Sequence, residues 1–139
     1  MSPTNRDLVR RKLELISENL RDLTTVMNQG KDHYLQTRTT RKLAERCIQE
    51  AIEAAADTNA HILSENGFGA PEDYRSGFQR MGEAKIIPLN LANELVPAAG
   101  LRNRIVHQYD RLDHEKIFHA IQELLKLLPR YIDVVNQYV

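Results

Sequence analysis

One cysteine, Cys47, is all the thiol chemistry this 139-residue sequence has, so no intramolecular disulfide can staple it. Net charge is missing as well. Nineteen Lys and Arg balance nineteen Asp and Glu, so global electrostatics will not draw the chain to nucleic acid, and any RNA contact must come from a local basic patch. No run approaches the roughly 18 apolar residues of a membrane span, and the polar start Ser2-Pro3-Thr4-Asn5-Arg6-Asp7 has no apolar leader core. A cytoplasmic protein is expected. There is no CxxC pair, no phosphate-cradling Gly-rich loop and no Gly-X-Ser-X-Gly elbow. With only six Gly, five Pro and 27% charged residues, a β-rich or disordered chain is also disfavoured.

What is present is helical periodicity. Hydrophobic residues make up 42% of the chain, enough for a core without metal or disulfide support, and a single domain over residues 1–139 is expected. Apolar residues recur every three or four positions, which predicts an all-α, up-and-down bundle of about four long helices plus a short one. The first helix is expected from Thr4 to Asn28, burying Leu8, Val9, Leu13, Ile16, Leu20, Leu23 and Met27, with Gly30 as a left-handed cap beyond it. His33 and Tyr34 read as a short connection. A second long helix then runs from the Thr37 to Thr40 stretch to about Asn66 on Leu43, Ala44, Cys47, Ile48, Ala51, Ile52, Ala55, Ala56, Asn59, Ile62 and Leu63. Cys47 reads as a core thiol, and Asn59 and His61 as polar groups satisfied within the bundle.

Gly67-Phe68-Gly69-Ala70-Pro71 is the clearest break. A short amphipathic helix on Tyr74, Phe78 and Met81 follows, ending near Ala84. After Pro88 another helix, with Pro97 as a potential kink, carries Leu91, Ala92, Leu95, Val96 and Ala99 straight into Arg102-Asn103-Arg104-Ile105-Val106-His107-Gln108-Tyr109. Asp113 is a good N-cap for the last helix, and Leu112 with Ile117 has the spacing of a hydrophobic staple. His114 and His119 come near a zinc-protease pattern, but they are five apart where one-face ligation needs four, so no metal site is read there.

The Arg102 to Tyr109 stretch holds the chemistry. Each helical residue turns about 100°, so Asn103 and His107 share a line, whereas Arg102 and His107 diverge by about 140°. One straight helix cannot aim both at one atom. Either the helix unwinds near His107 or a second copy of the chain supplies one group, as a twofold dimer would. Imidazole moves protons near neutral pH and guanidinium grips phosphate oxygens, so the pair suits metal-free cleavage of RNA by its own 2′-hydroxyl. From residue types alone the competing reading is that Arg and His complement the dipole at a helix C-terminus and Tyr109 anchors an interface.

Arg102, four residues, His107, one residue, Tyr109 resembles the Arg-X4-6-His motif of the HEPN superfamily, in the Arg-X4-His-X-Tyr form of the HepT-like toxins. The Pro71-Glu72-Asp73-Tyr74 turn and the helix order extend the resemblance over nearly the whole chain. It implies a homodimeric, metal-independent endoribonuclease with its cleft at the dimer interface and no cofactor. Arg102 and His107 would be catalytic, and Asn103 and Arg104 would orient phosphate. A small nucleotidyltransferase antitoxin, MntA-like, would transfer AMP to Tyr109. The competing reading is a non-catalytic helical module that binds and regulates such a nucleotidyltransferase.

Overall fold

The computed structural model describes residues 2–139, leaving Met1 aside. Six α-helices and one 3-10 turn follow in order: α1 (Pro3–Asn28), α2 (Lys31–Gln36), α3 (Arg38–Glu65), α4 (Tyr74–Glu83), α5 (Leu89–His107), the 3-10 turn Tyr109–Arg111, and α6 (His114–Tyr138). The all-α reading and the four long helices are as expected. No helix among the described residues is long and apolar enough to cross a membrane.

The helix ends follow local chemistry. Ser2 accepts from the Asn5 amide, Asp73 from Ser76 at 2.7 Å and Asp113 from Lys116 at 3.2 Å, so three helices begin on a side-chain cap. Pro3 occupies the first turn of α1, where a missing N–H costs nothing. α3 ends at the glycine break, where the Phe68 amide returns to the Leu63 carbonyl and Gly67 takes a φ of 78°.

α1 and α3 pack along their lengths, α6 closes over α1, and α4 with α5 covers the rest of α3. Val9, Leu13, Ile16, Leu23, Ile48, Ile52, Ile62, Leu91, Ile121 and Leu128 are all essentially inaccessible, each contributing about 1.5–3 kcal/mol by leaving water. Close approach relies on small residues. A Cβ on Gly82 would fall 2.5 Å from that of Ala92, so α4 and α5 touch nearly backbone to backbone there.

Several expectations change. The connection through His33 and Tyr34 is a one-and-a-half-turn helix, α2, that drives Tyr34 fully into the core against Phe118, with ring centroids 5.3 Å apart. Burial, with Glu45 nearby, holds the Tyr34 phenol well above its ordinary pKa. Gly30 does have a positive φ, 88°, but with ψ at 162°. That conformation is nearly confined to glycine, and it starts α2 rather than capping α1. Val26, not Met27, is the buried residue at the end of α1, and Leu43 is half exposed because only the Ala44, Cys47 and Ile48 side of α3 is covered at that level.

Asn59 is buried, as expected of a satisfied polar group, and lies against the hydroxyl of Tyr131, which is also 3.1 Å from the Ala55 carbonyl. One proton cannot serve both acceptors. Turning the Asn59 amide over lets its Nδ2 donate to the hydroxyl while the hydroxyl donates to Ala55, which also satisfies the otherwise orphaned Nδ2. Pro97 lies inside α5 and Pro129 inside α6, and both helices continue past them.

Candidate active site

α5 brings the motif to its last two turns. Leu101 and Ile105 face the core, which turns Arg102, Asn103 and Arg104 outward. α5 stays helical through His107, and the Gln108 amide closes the final turn on the Arg104 carbonyl at 2.8 Å. The unwinding that would let one chain aim Arg102 and His107 at a single atom is therefore not there.

Arg102 is the fixed member. Its Nε and Nη2 both donate to Oε2 of Glu53 on α3, at 3.0 and 2.7 Å, and its Nη1 donates to Oδ1 of Asn103 at 3.2 Å. Gln49, one turn earlier on α3, gives a further hydrogen bond to the same Glu53 oxygen at 3.2 Å. The guanidinium lies 4.9 Å from the centre of the Tyr74 ring at the start of α4, a cation–π contact. Partial burial, with Glu53 and Asp57 nearby, raises the Tyr74 phenol's pKa, and Arg102 opposes that shift. Three helices thus hold one side chain in one orientation.

Beside it lies an open groove of about 810 Å³ between α4 and α5, with Tyr74, Arg75, Gly100, Arg102, Asn103 and Arg104 among its walls. Arg104 and Asn103 are exposed there. His107, at the end of α5, is exposed and is not part of the groove wall. Tyr109 follows in the 3-10 turn, 63% exposed, with the Lys42 ammonium 5.8 Å from its ring centre. One chain therefore places Arg102, Asn103 and Arg104 on a shared groove and leaves His107 and Tyr109 on an adjoining open surface.

No three His, Cys, Asp or Glu side chains cluster as ligands among the described residues. Sequence reasoning missed Glu53, Gln49, Tyr74 and Lys42 as parts of this region. The available signal was the spacing of Lys42, Arg46, Gln49 and Glu53, which puts four polar groups on one face of an otherwise alanine-rich helix.

An all-helical bundle that carries Arg-X4-His at the end of one helix and the motif tyrosine in the turn after it, with the arginine clamped beside an open groove, has the architecture of the HEPN class. A model of that class, described as ribonuclease HepT-like, matches residues 16–135. The chain belongs to the HepT-like ribonuclease family. It is 35% identical to the tRNA nuclease HepT of Aphanizomenon flos-aquae over 95% of this chain and 90% of that one. It is 26% identical to the mRNA nuclease HepT of Shewanella oneidensis over 94% and 97%. Among solved structures it matches the tri-AMPylated HEPN toxin of Shewanella oneidensis in complex with MNT antitoxin, at 26% identity and a TM-score of 0.87 over 99% of both chains. A toxin–antitoxin structure with AMP-PNP gives a TM-score of 0.87 at 25% identity over 94% and 98%.

Proposed function

We propose that this chain is the toxin of a toxin–antitoxin pair, a metal-independent endoribonuclease acting in the cytoplasm as a homodimer of one HEPN-like domain, residues 1–139. The observation that carries the reading is the placement of Arg102 and His107 on α5: one held rigidly by Glu53, the other exposed one and a half turns on, in a chain of the ribonuclease family.

In the reaction the 2′-hydroxyl of RNA attacks the adjacent phosphorus, the bond to the 5′ oxygen breaks, and a 2′,3′-cyclic phosphate and a 5′-hydroxyl result. His107 takes the 2′ proton or returns one to the departing oxygen. Arg102 meets the charge that builds on the phosphorane, and its clamp means no reorganisation is needed when that charge appears. Asn103 and Arg104 orient the phosphate. Because α5 stays helical through His107, the Arg102 of one protomer serves with the His107 of the other, which makes the dimer cleft the working site.

Tyr109 is the acceptor for AMP from a small nucleotidyltransferase antitoxin. The phenol oxygen attacks the α-phosphorus of ATP and pyrophosphate leaves. The exposure of Tyr109 supports this, and so does the toxin of Shewanella oneidensis, which is AMPylated and bound to MNT antitoxin. The added phosphate brings bulk and negative charge two residues from His107, where the RNA backbone must pass.

Purified unmodified protein, incubated with labelled RNA in excess EDTA beside Arg102→Ala and His107→Ala, tests the reading. Cleavage by the wild type alone, leaving 2′,3′-cyclic ends, is expected. No cleavage across a broad RNA panel would instead favour a helical module that only binds the nucleotidyltransferase.

A further inference from the structure

α3 runs antiparallel to α5 and is tied to it at two points: Glu53 to Arg102 at 2.7 Å, and the Lys42 ammonium over the Tyr109 ring at 5.8 Å. Between those ties, Lys42, Arg46, Gln49 and Glu53 fall within a strip about 60° wide and about 16 Å long. The strip therefore runs alongside the motif, from its arginine to its tyrosine, and its free end lies at the tyrosine two residues from His107. We propose that this face of α3 is a binding strip for the RNA phosphodiester backbone, with Lys42 and Arg46 as its phosphate contacts. The proposal rests on the ribonuclease reading and deepens it.

The charges along the strip are graded in a way a solvated face does not require. At the Arg102 end, Glu53 already takes three hydrogen bonds, from Arg102 twice and Gln49 once, so that end is closed by its own internal contacts. Toward Tyr109 the cations are available. Lys42 is exposed and joins no ion pair among the described residues. Arg46 is 65% exposed and pairs only with Glu50, one turn along the same helix, at 3.2 Å. An exposed pair within one helix contributes little to stability, so exchanging Glu50 for a phosphate costs Arg46 little. Arg38, exposed and one turn beyond Lys42, extends the row at the positive end of the α3 dipole. The carboxylates next to these cations in the chain are Glu50, paired with Arg46, Asp110, which follows Tyr109, and Glu45, which is buried.

This placement answers the difficulty raised by a chain with no net charge. Attraction for a polyanion has to be local, and here one cation outside any ion pair among the described residues, Lys42, lies against the turn that follows His107, with Arg46 one helical turn further along α3. It also separates two duties. The Arg102 groove meets the reacting phosphate, and the α3 strip holds the neighbouring backbone.

The test uses the unmodified full-length dimer and the RNA that the wild type cleaves. Lys42→Ala and Arg46→Ala are each expected to raise KM about 3- to 10-fold with kcat within twofold, and Lys42→Glu to raise it further, as loss of one phosphate contact predicts. Lys42→Arg should keep the wild-type KM. Binding to a 2′-O-methyl version of the same RNA should lose about 0.7 from the slope of log K against log salt for each alanine. Lys126→Glu, on exposed α6, should change neither quantity. If the wild type cuts RNA while Lys42→Glu keeps its KM and salt slope, or matches Lys126→Glu, the strip is overturned and the nuclease reading stands. If the wild type cuts no RNA, both fall together.

Discussion

Nε and Nη2 of Arg102 converge on a single oxygen of Glu53, so the side chain proposed to stabilise the transition state carries a carboxylate along one edge. Of its five N–H groups, two go to Glu53 and one to Asn103, which leaves one on each terminal nitrogen for a substrate. A phosphate must therefore approach away from the Nε–Nη2 edge, which Glu53 occupies.

Replacing Glu53 by Gln separates orientation from charge. The guanidinium loses its ionic clamp, and misplacement at a reacting centre costs about 10- to 100-fold in kcat. At the same time one negative charge leaves the neighbourhood of the RNA, so KM should hold or fall. Steady-state kinetics on the two proteins checks both directions, and a rise in KM with kcat intact would contradict the positioning role.

The helical continuity of α5 through His107 makes the composite site testable by mixing. Arg102→Ala and His107→Ala chains, each inactive alone, should regain activity when refolded together. With random exchange about half the dimers are mixed, and each keeps one of its two sites, so recovery to roughly a quarter of wild type is expected. A site contained within one chain would recover nothing.

Cys47 is buried, and burial, reinforced by Asp22 and Glu50, pushes its thiol up to about 11. The folded state thus favours the neutral thiol. That contribution is fully present below the unfolded thiol value near about 8.5 and is lost as pH rises through about 11. Denaturant melts should show wild type losing stability across that window faster than Cys47→Ala. Iodoacetamide at pH 8 should label the folded protein slowly and the unfolded chain quickly.

Gly82→Ala forces a Cβ to within 2.5 Å of Ala92 Cβ and 3.3 Å of Leu89 Cδ1, so α4 must move off α5. A loss of about 1–3 kcal/mol is expected from overpacking. Adding Ala92→Gly should return part of it in a chemical denaturation series. Because the Arg102 groove lies between these two helices, RNA cleavage should fall along with stability.

The long helices were legible because each repeats its apolar stripe over many turns, and the motif was legible because its residues are adjacent in sequence. α2 was not, since Lys31–Gln36 offers only Tyr34 and Leu35 as apolar residues, too few to show a period. Glu53 was hidden for another reason. Its partner is 49 positions away, and a carboxylate on an alanine-rich helix reads as a solvated group until the fold brings Arg102 to it. Leu43 fitted the 3–4 spacing and still ended half exposed, because periodicity marks a face without saying whether a neighbour covers it.

Pro97, one of the groove's wall residues, has no N–H to offer the carbonyl of Asn93, which lines the same groove. That leaves one main-chain acceptor of α5 without its usual helical donor. α5 thus runs beside the groove with one helical hydrogen bond fewer than an uninterrupted helix would make.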